Sequence, residues 1–217
     1  MKTGQLSKKY IFPNVETLKS YVMEIDGGGR DLIEKLIQTI ADPVMIEIGC
    51  FLCGSTRRWL NCSPTLKVIG VDPWSDEIIN IVEGYKSVDW AKPILEKTGN
   101  VDQMIADLKT HGVYLSACAN ISEFSDRFIP VRGRSPEALY DIADCGVIPD
   151  IIYVDALKLE DDLRSAHELF PNAILCGDDW TWGKEKGYPM RTAVMNFAAQ
   201  HGFSVEAEKA TWIIHKQ

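Results

Sequence analysis

The sequence predicts an open α/β sheet of the doubly wound kind, and three stretches carry that prediction. Residues 44–48 form an apolar run of strand length that leads into Gly49-Cys50-Phe51-Leu52-Cys53-Gly54. A helical segment follows, then a second apolar run, residues 67–71, that ends at Asp72. Strand, glycine turn, helix, strand and terminal acid are the parts of a nucleotide-binding half of such a fold. Two later apolar runs also end in carboxylates: residues 149–154 close on Asp155, and residues 172–177 close on Asp178 and Asp179. Ligands of open α/β sheets bind beyond the carboxyl ends of the strands. These runs therefore deliver three acids to the face where a ligand is expected, and three acids there can hold a hard cation, which takes oxygen ligands.

Size and composition allow this reading. A chain of 217 residues with 46% hydrophobic and 25% charged residues suits a single domain, residues 1–217, with a substantial core. The net charge of -8 and the pI of about 5.0 argue against nucleic acid or an anionic membrane as the main partner. No apolar run approaches the ~20 residues of a membrane helix. The first thirteen residues are polar and lysine-bearing and lack the apolar centre of a signal peptide, so a cytoplasmic location is expected. Six cysteines in a chain of this length do not make a disulfide framework. Cys50-x-x-Cys53 has the spacing of half a zinc or redox site, but there is no second such pair and the four histidines show no ligand spacing. The cysteines read as reduced, buried thiols.

The remaining elements follow in order. Leu18, Tyr21, Val22 and Ile25 recur at helical spacing, as do Leu32, Leu36, Ile37 and Ile40, which predicts helices over residues 14–27 and 30–41 with a turn or hinge at Gly27-Gly28-Gly29. Ser55 and Thr56 are acceptable N-caps for the helix that runs on from Arg57. Residues 75–127 carry helical patches at 78–85 and 101–108, and read either as a lid that selects the substrate or as decorated crossover helices. Residues 128–132 resume the sheet, and after Gly133-Arg134-Ser135-Pro136 a helix is expected through about residue 143. A helix beginning near Glu160 joins the two acid-ended strands. Residues 190–201 form an amphipathic helix, and residues 203–208 and 211–215 a terminal strand pair around Lys209-Ala210.

A glycine turn lets the backbone approach a ligand closely, and the helix N-terminus behind it offers free N–H groups. An acid at the tip of the next strand can accept hydrogen bonds from both hydroxyls of a ribose. Glu47-Ile48-Gly49 with Gly54, Ser55 and Thr56, followed by Asp72, therefore describes an adenosine pocket. Dinucleotide-binding enzymes share this logic, but their fingerprint is G-x-G-x-x-G. Here the glycines stand as G-x-x-x-x-G, and an acid just ahead of the turn is foreign to that pattern.

On these residues, with Val71-Asp72-Pro73-Trp74, the chain resembles the class I S-adenosylmethionine-dependent methyltransferases. It is most similar to the small-molecule O-methyltransferases of the macrocin and catechol/caffeoyl-coenzyme A types, over roughly residues 43–74 and 126–215. The resemblance implies a Rossmann-like, seven-stranded, mostly parallel sheet flanked by helices, its last strand antiparallel. It implies that Glu47 and the Gly49 turn border the methionine end of the cofactor, that Asp72 binds the ribose hydroxyls, that Gly133 and Ser135 lie along the adenine, and that Gly54, Ser55, Trp74 and Asp155 also belong to the cofactor site. The family commonly has a glycine four residues after the first, where this chain has Cys53.

In those relatives the metal ligands occupy the strand ends held here by Asp155, Asp178 and Asp179. The spacing Asp155-x-x-Lys158 is similar to the catechol-type pattern, in which the lysine is the general base. A lysine with an ordinary pKa of about 10.4 acts so only where burial or a neighbouring cation lowers it. The implied activity is O-methylation of a small hydroxylated molecule, a specialised metabolite or a sugar, assisted by magnesium or a similar cation, with Asp155 and Lys158 at the reacting centre. Trp180 and Trp182 are candidates for an aromatic wall over the acceptor, and Arg132 and Arg134 for binding an acidic group on it. Metal-independent N- or O-methylation and a non-catalytic S-adenosylmethionine-binding role are the alternatives, and relatives often pair as dimers.

Overall fold

The computed structural model describes residues 2–156 and 159–216, the side chain of Leu159 excepted. Seven strands form one sheet: β1 (Val44–Ile48), β2 (Lys67–Asp72), β3 (Phe128–Arg132), β4 (Ile151–Val154), β5 (Ile174–Gly177), β6 (Ser204–Glu208) and β7 (Thr211–His215). Their order is β3-β2-β1-β4-β5-β7-β6. Strands β1 to β5 pair in parallel, and β7 is antiparallel to both of its neighbours. The sheet is the Rossmann-like, seven-stranded arrangement the sequence predicts.

Strand β1 is buried along its whole length, as expected of a central parallel strand covered on both faces. The pleat sends Met45 to one core and Val44, Ile46 and Ile48 to the other. The chain leaves β1 toward β2 and β3 on one side and later returns on the other with β4 and β5. The reversal falls between β1 and β4, and this switch point places Gly49 beside Asp155.

Ten helices flank the described sheet: α1 (Leu6–Lys9), α2 (Asp31–Gln38), α3 (Gly54–Cys62), α4 (Glu77–Tyr85), α5 (Lys92–Thr98), α6 (Val101–His111), α7 (Val113–Ala119), α8 (Glu137–Asp144), α9 (Leu159–Leu169) and α10 (Pro189–His201). The stretch between β2 and β3 resolves into α4 to α7, which bury Ile78, Val82, Leu95, Met104 and Leu108 in the core. It is thus a true crossover layer as well as an insertion. No described helix is long and apolar enough to cross a membrane, and all six cysteines are free.

One predicted helix is absent. Residues 14–27 form a strap of turns and extended chain rather than a helix. Tyr21 and Met23 are buried while Val22 between them is 45% exposed, the alternation of an extended segment. Polar anchors hold it: Tyr21 N donates to Asn120 Oδ1 at 2.6 Å, its hydroxyl to Asp107 at 2.5 Å, and Thr98 Oγ1 donates to the Val22 carbonyl at 3.3 Å. The tertiary partners along α5 to α7 outweigh the local helical spacing.

The strap ends in Gly27-Gly28-Gly29, which is a packed turn. The Gly28 carbonyl accepts from Ala210 N and from Thr211 Oγ1, both at 3.1 Å, at the tip of the β6–β7 hairpin. Gly29 has φ +92°, and a Cβ there would lie 1.9 Å from the Glu208 carbonyl oxygen. Gly29→Ala therefore meets both a left-handed backbone and a backbone clash. It is expected to cost about 3 kcal/mol or more and to lower the thermal midpoint by roughly 6–12 °C. A midpoint unchanged within two degrees or so would show that the turn does not pack in this way.

Candidate active site

The turn after β1 is set by two close approaches. Gly49 has φ +90° and donates to the Val71 carbonyl at 2.8 Å, and a Cβ on it would sit 1.9 Å from the Asp155 carbonyl oxygen. Only glycine lets the ends of β1, β2 and β4 come this near. Beyond it, Phe51 and Cys53 also take positive φ, and Cys53 N closes onto the Cys50 carbonyl at 2.7 Å. The Cys53 side chain points inward to the core beside Leu52, Tyr21 and Met23, and Gly54 is the residue that faces the cavity. The departure from the glycine pattern thus puts no Cys53 side chain on the cavity wall, which Cys50, Phe51 and Ser55 of the same turn do line. Burial pushes the Cys50 and Cys53 thiols well above their ordinary pKa, which suits inert packing groups.

Glu47 lies beneath this turn, fully buried. Ser55 Oγ donates to Glu47 Oε1 at 2.6 Å, Trp59 Nε1 donates to the same oxygen at 3.2 Å, and the Thr56 hydroxyl donates to Oε2. Ser55 and Thr56 were expected to cap α3, yet the N-cap is Cys53 and makes no side-chain cap bond. The two hydroxyls instead satisfy a buried carboxylate, whose unpaired state would cost more than an uncapped helix. Burial raises the Glu47 pKa, against these hydrogen bonds. Glu47 does not line the cavity, so the structure places it as the support of the turn.

Asp72, at the tip of β2, does line the cavity and is 7% exposed. Its Oδ2 accepts from Phe51 N at 2.9 Å and its Oδ1 from Trp74 N at 2.6 Å. Trp74 is itself buried, and its ring nitrogen donates to the Phe51 carbonyl at 2.8 Å. Trp74 is therefore a brace behind Asp72, and not part of the cavity surface.

The cavity holds about 1100 Å³, above the ~300–1,000 Å³ of a typical small-ligand pocket. It runs from Gly133, Arg134 and Ser135 past Asp72 and the Gly49 turn to Asp155, Asp178 and Asp179. Ile78, Ile81, Tyr85, Trp90 and Ile94, from α4 to α5, line its outer wall. Met23, Ile25 and Asp26 of the strap also line it. Of the two tryptophans proposed from sequence, Trp182 lines the cavity, whereas Trp180 lies under the Arg191 guanidinium, 5.3 Å from its ring centre. Arg132 packs over Tyr114 instead.

The three strand-end acids do meet here, around a side chain that the sequence reading did not single out. Arg30, 3% exposed, begins α2 directly after the glycine turn. Its Nε and Nη2 lie 3.2 and 2.8 Å from Asp178 Oδ2, and Nη2 lies 3.7 Å from Asp155 Oδ2. Asp178 Oδ1 is buried without a hydrogen-bond partner among the described residues. Burial first, then Asp178 and Asp179, lift the Asp155 carboxyl well above the usual range; burial and Asp178 bring Asp179 to about 6. The expectation that Asp155, Asp178 and Asp179 hold a divalent cation does not fit this arrangement. The Arg30 guanidinium takes Asp178 Oδ2 and lies beside Asp155, and no group of three acids, histidines or cysteines among the described residues has ligand geometry. Lys158, expected as a base, lies outside the described residues.

The glycine-lined surface and Asp72 do fit an adenosyl cofactor. No protein-family model matches the sequence, and no curated protein does. Solved structures match the fold. A candidate caffeoyl-CoA O-methyltransferase from Staphylococcus aureus is 16% identical, with 90% of this chain and 86% of that chain covered and a TM-score of 0.54. An O-methyltransferase from Bacillus cereus in complex with SAH is 15% identical over 97% of this chain and 94% of that one, with a TM-score of 0.51. A precorrin-6y C5,15-methyltransferase from Geobacter metallireducens is 13% identical over 89% and 92%, with a TM-score of 0.50. The fold is the Rossmann-like one that these solved methyltransferase structures share.

The Glu47 hub yields a stability test. Glu47→Ala strands the Trp59 ring N–H in the core and leaves a cavity, at an expected cost of about 2–4 kcal/mol in denaturant unfolding. Glu47→Gln keeps an acceptor and the shape, and is expected to lose less than half of that. Equal losses would mean that the hydrogen bonds contribute little.

Proposed function

We propose that this protein is an S-adenosylmethionine-dependent methyltransferase that methylates a hydroxyl of a small molecule. The observation that carries the reading is the joining of Asp72, the Gly49 turn and the Asp155–Asp179 acids along one cavity large enough for two ligands. Asp72 stands where it would accept hydrogen bonds from the ribose hydroxyls. Gly49 and Gly54, packed against the Asp155 and Met23 carbonyls, would present their backbone to the methionine end, and Gly133 and Ser135 would form the surface for the adenine. S-adenosylmethionine supplies an electrophilic methyl group on a sulfonium.

The acceptor would lie between the strand-end acids and the wall of Ile78, Ile81, Tyr85 and Trp90. In that position its hydroxyl would face the methyl donor, and a strand-end carboxylate would take its proton. Asp155 and Asp179 face the cavity. Burial lifts the Asp155 carboxyl well above the usual carboxylate range and that of Asp179 to about 6, which makes each, once ionised, a stronger proton acceptor than an ordinary carboxylate. A divalent cation is not part of the reading, because Arg30 already binds Asp178 and stands beside Asp155. The apolar wall favours a flat, partly apolar acceptor over a bare sugar. A non-catalytic cofactor-binding role would leave unexplained why two lifted carboxyls face the cavity.

Calorimetric titration with S-adenosylhomocysteine tests the pocket. The parent is expected to bind it, and Asp72→Asn to bind about 10–100-fold more weakly, through the loss of charge-assisted hydrogen bonds worth roughly 1.5–3 kcal/mol. Equal affinity in the variant would place the cofactor elsewhere.

A further inference from the structure

We infer that Arg30 is the resident cation of the acid site, and that it excludes a divalent metal from the position where Asp155, Asp178 and Asp179 converge. The inference deepens the proposed reading by saying how that site is charged, and its test is independent of cofactor binding.

The guanidinium is surrounded by carboxylates from three parts of the chain. Asp178, after β5, takes both Nε and Nη2 on one oxygen, at 3.2 and 2.8 Å. Asp155, after β4, lies 3.7 Å from Nη2, while the strap contributes Glu24 at 3.6 Å from Nη1 and Asp26 at 3.8 Å from Nε. The Trp59 ring closes the inner side, its centre 5.9 Å from the Arg30 Cζ. Arginine carries its charge at every pH a protein meets, and its fork of donors binds oxygens in fixed directions. A buried arginine held this way is a permanent positive charge at the carboxyl ends of β4 and β5.

Two features fix it there. Arg30 follows the glycine turn whose backbone is clamped on the β6–β7 tip, so the helix start cannot withdraw without breaking the Gly28 contacts. With Arg30 at 3% exposure, water does not screen it from the acids. A divalent cation needs about six oxygen donors. At Asp178 Oδ2 it would have to displace two N–H donors, and at Oδ1 it would still stand within a few ångströms of a fixed positive charge. Arg30 is thus a positioning residue: it orients Asp155 and Asp178, while its Nη1 lies buried 3.6 Å from Glu24.

Removing the guanidinium should expose what it suppresses. Asp155, Asp178 and Asp179 would then repel one another and recruit a cation. The experiment is a titration of the full chain with Mn²⁺, read by the loss of free-ion electron paramagnetic resonance signal, on the parent and on Arg30→Met. The parent is expected to show no saturable site up to about ten times the millimolar range of weak carboxylate sites. Folded Arg30→Met, checked by circular dichroism, is expected to gain one saturable site and a thermal midpoint that rises with Mn²⁺.

A stoichiometric Mn²⁺ site in the parent that disappears in Asp155→Asn would overturn the inference, whether or not the methionine variant folds. So would a folded Arg30→Met that gains no site. S-adenosylhomocysteine titration in excess chelator, run on the same parent sample, keeps the two claims apart. Failure there removes the methyltransferase reading, while the Mn²⁺ result still decides the role of Arg30.

Discussion

The site depends on one buried carboxylate that never touches the cavity. Glu47 leaves β1 on the face opposite Ile46 and Ile48, and there it gathers donors from the first turns of α3. A charge in the core is costly unless its hydrogen-bonding capacity is filled. Ser55, Thr56 and Trp59 fill it, and in doing so they pull the helix start down onto the strand. The turn between them has no freedom left: it must pass over Glu47, and Gly49 must approach the Asp155 carbonyl. The same constraint orders the backbone around Asp72, because Phe51 N is part of that turn and donates to its carboxylate.

The opposite side of the cavity is built by different means. The sheet supplies acids there, and the chain before the sheet supplies both their counter-charge and part of the wall. Arg58 extends the arrangement outward, with Asp26, Asp31 and Glu34 each 2.6 Å from its guanidinium. These outer pairs are partly exposed and individually weak. The inner Arg30–Asp178 pair is buried, and breaking it would leave an uncompensated charge. Strength thus increases from the surface toward the acids, and so does the precision with which side chains are held.

Much of the fold was legible because its signals are local. A glycine turn between two apolar runs, acids at strand tips and the β6–β7 hairpin around Lys209-Ala210 all declare themselves within a few residues. Asp72, Gly133 and Ser135 were legible for the same reason, and the structure brings them to one surface. What was not legible depended on distant partners. Residues 14–27 have helical spacing, yet Asn120, Asp107 and Thr98 hold them extended. The period-two burial of Tyr21 and Met23 was a fainter signal in the same stretch. Ser55 and Thr56 look like caps until Glu47 is seen to need them. Arg30 carried no motif at all, being a single arginine after three glycines, and only the folded chain shows that it lands among acids from β4 and β5.

The strap has a consequence for what counts as the working unit. Sheet and flanking helices form most of the core, but the cavity is not a property of them alone. Met23, Ile25 and Asp26 wall it, and Arg30 gives the acids their counter-ion. A site grafted from this protein onto another sheet of the same topology would carry β1, β4 and β5 in vain unless residues 21–30 travelled with them. Variation in so short a peripheral segment could change the charge and shape of the binding chamber while every strand of the scaffold stayed as it is.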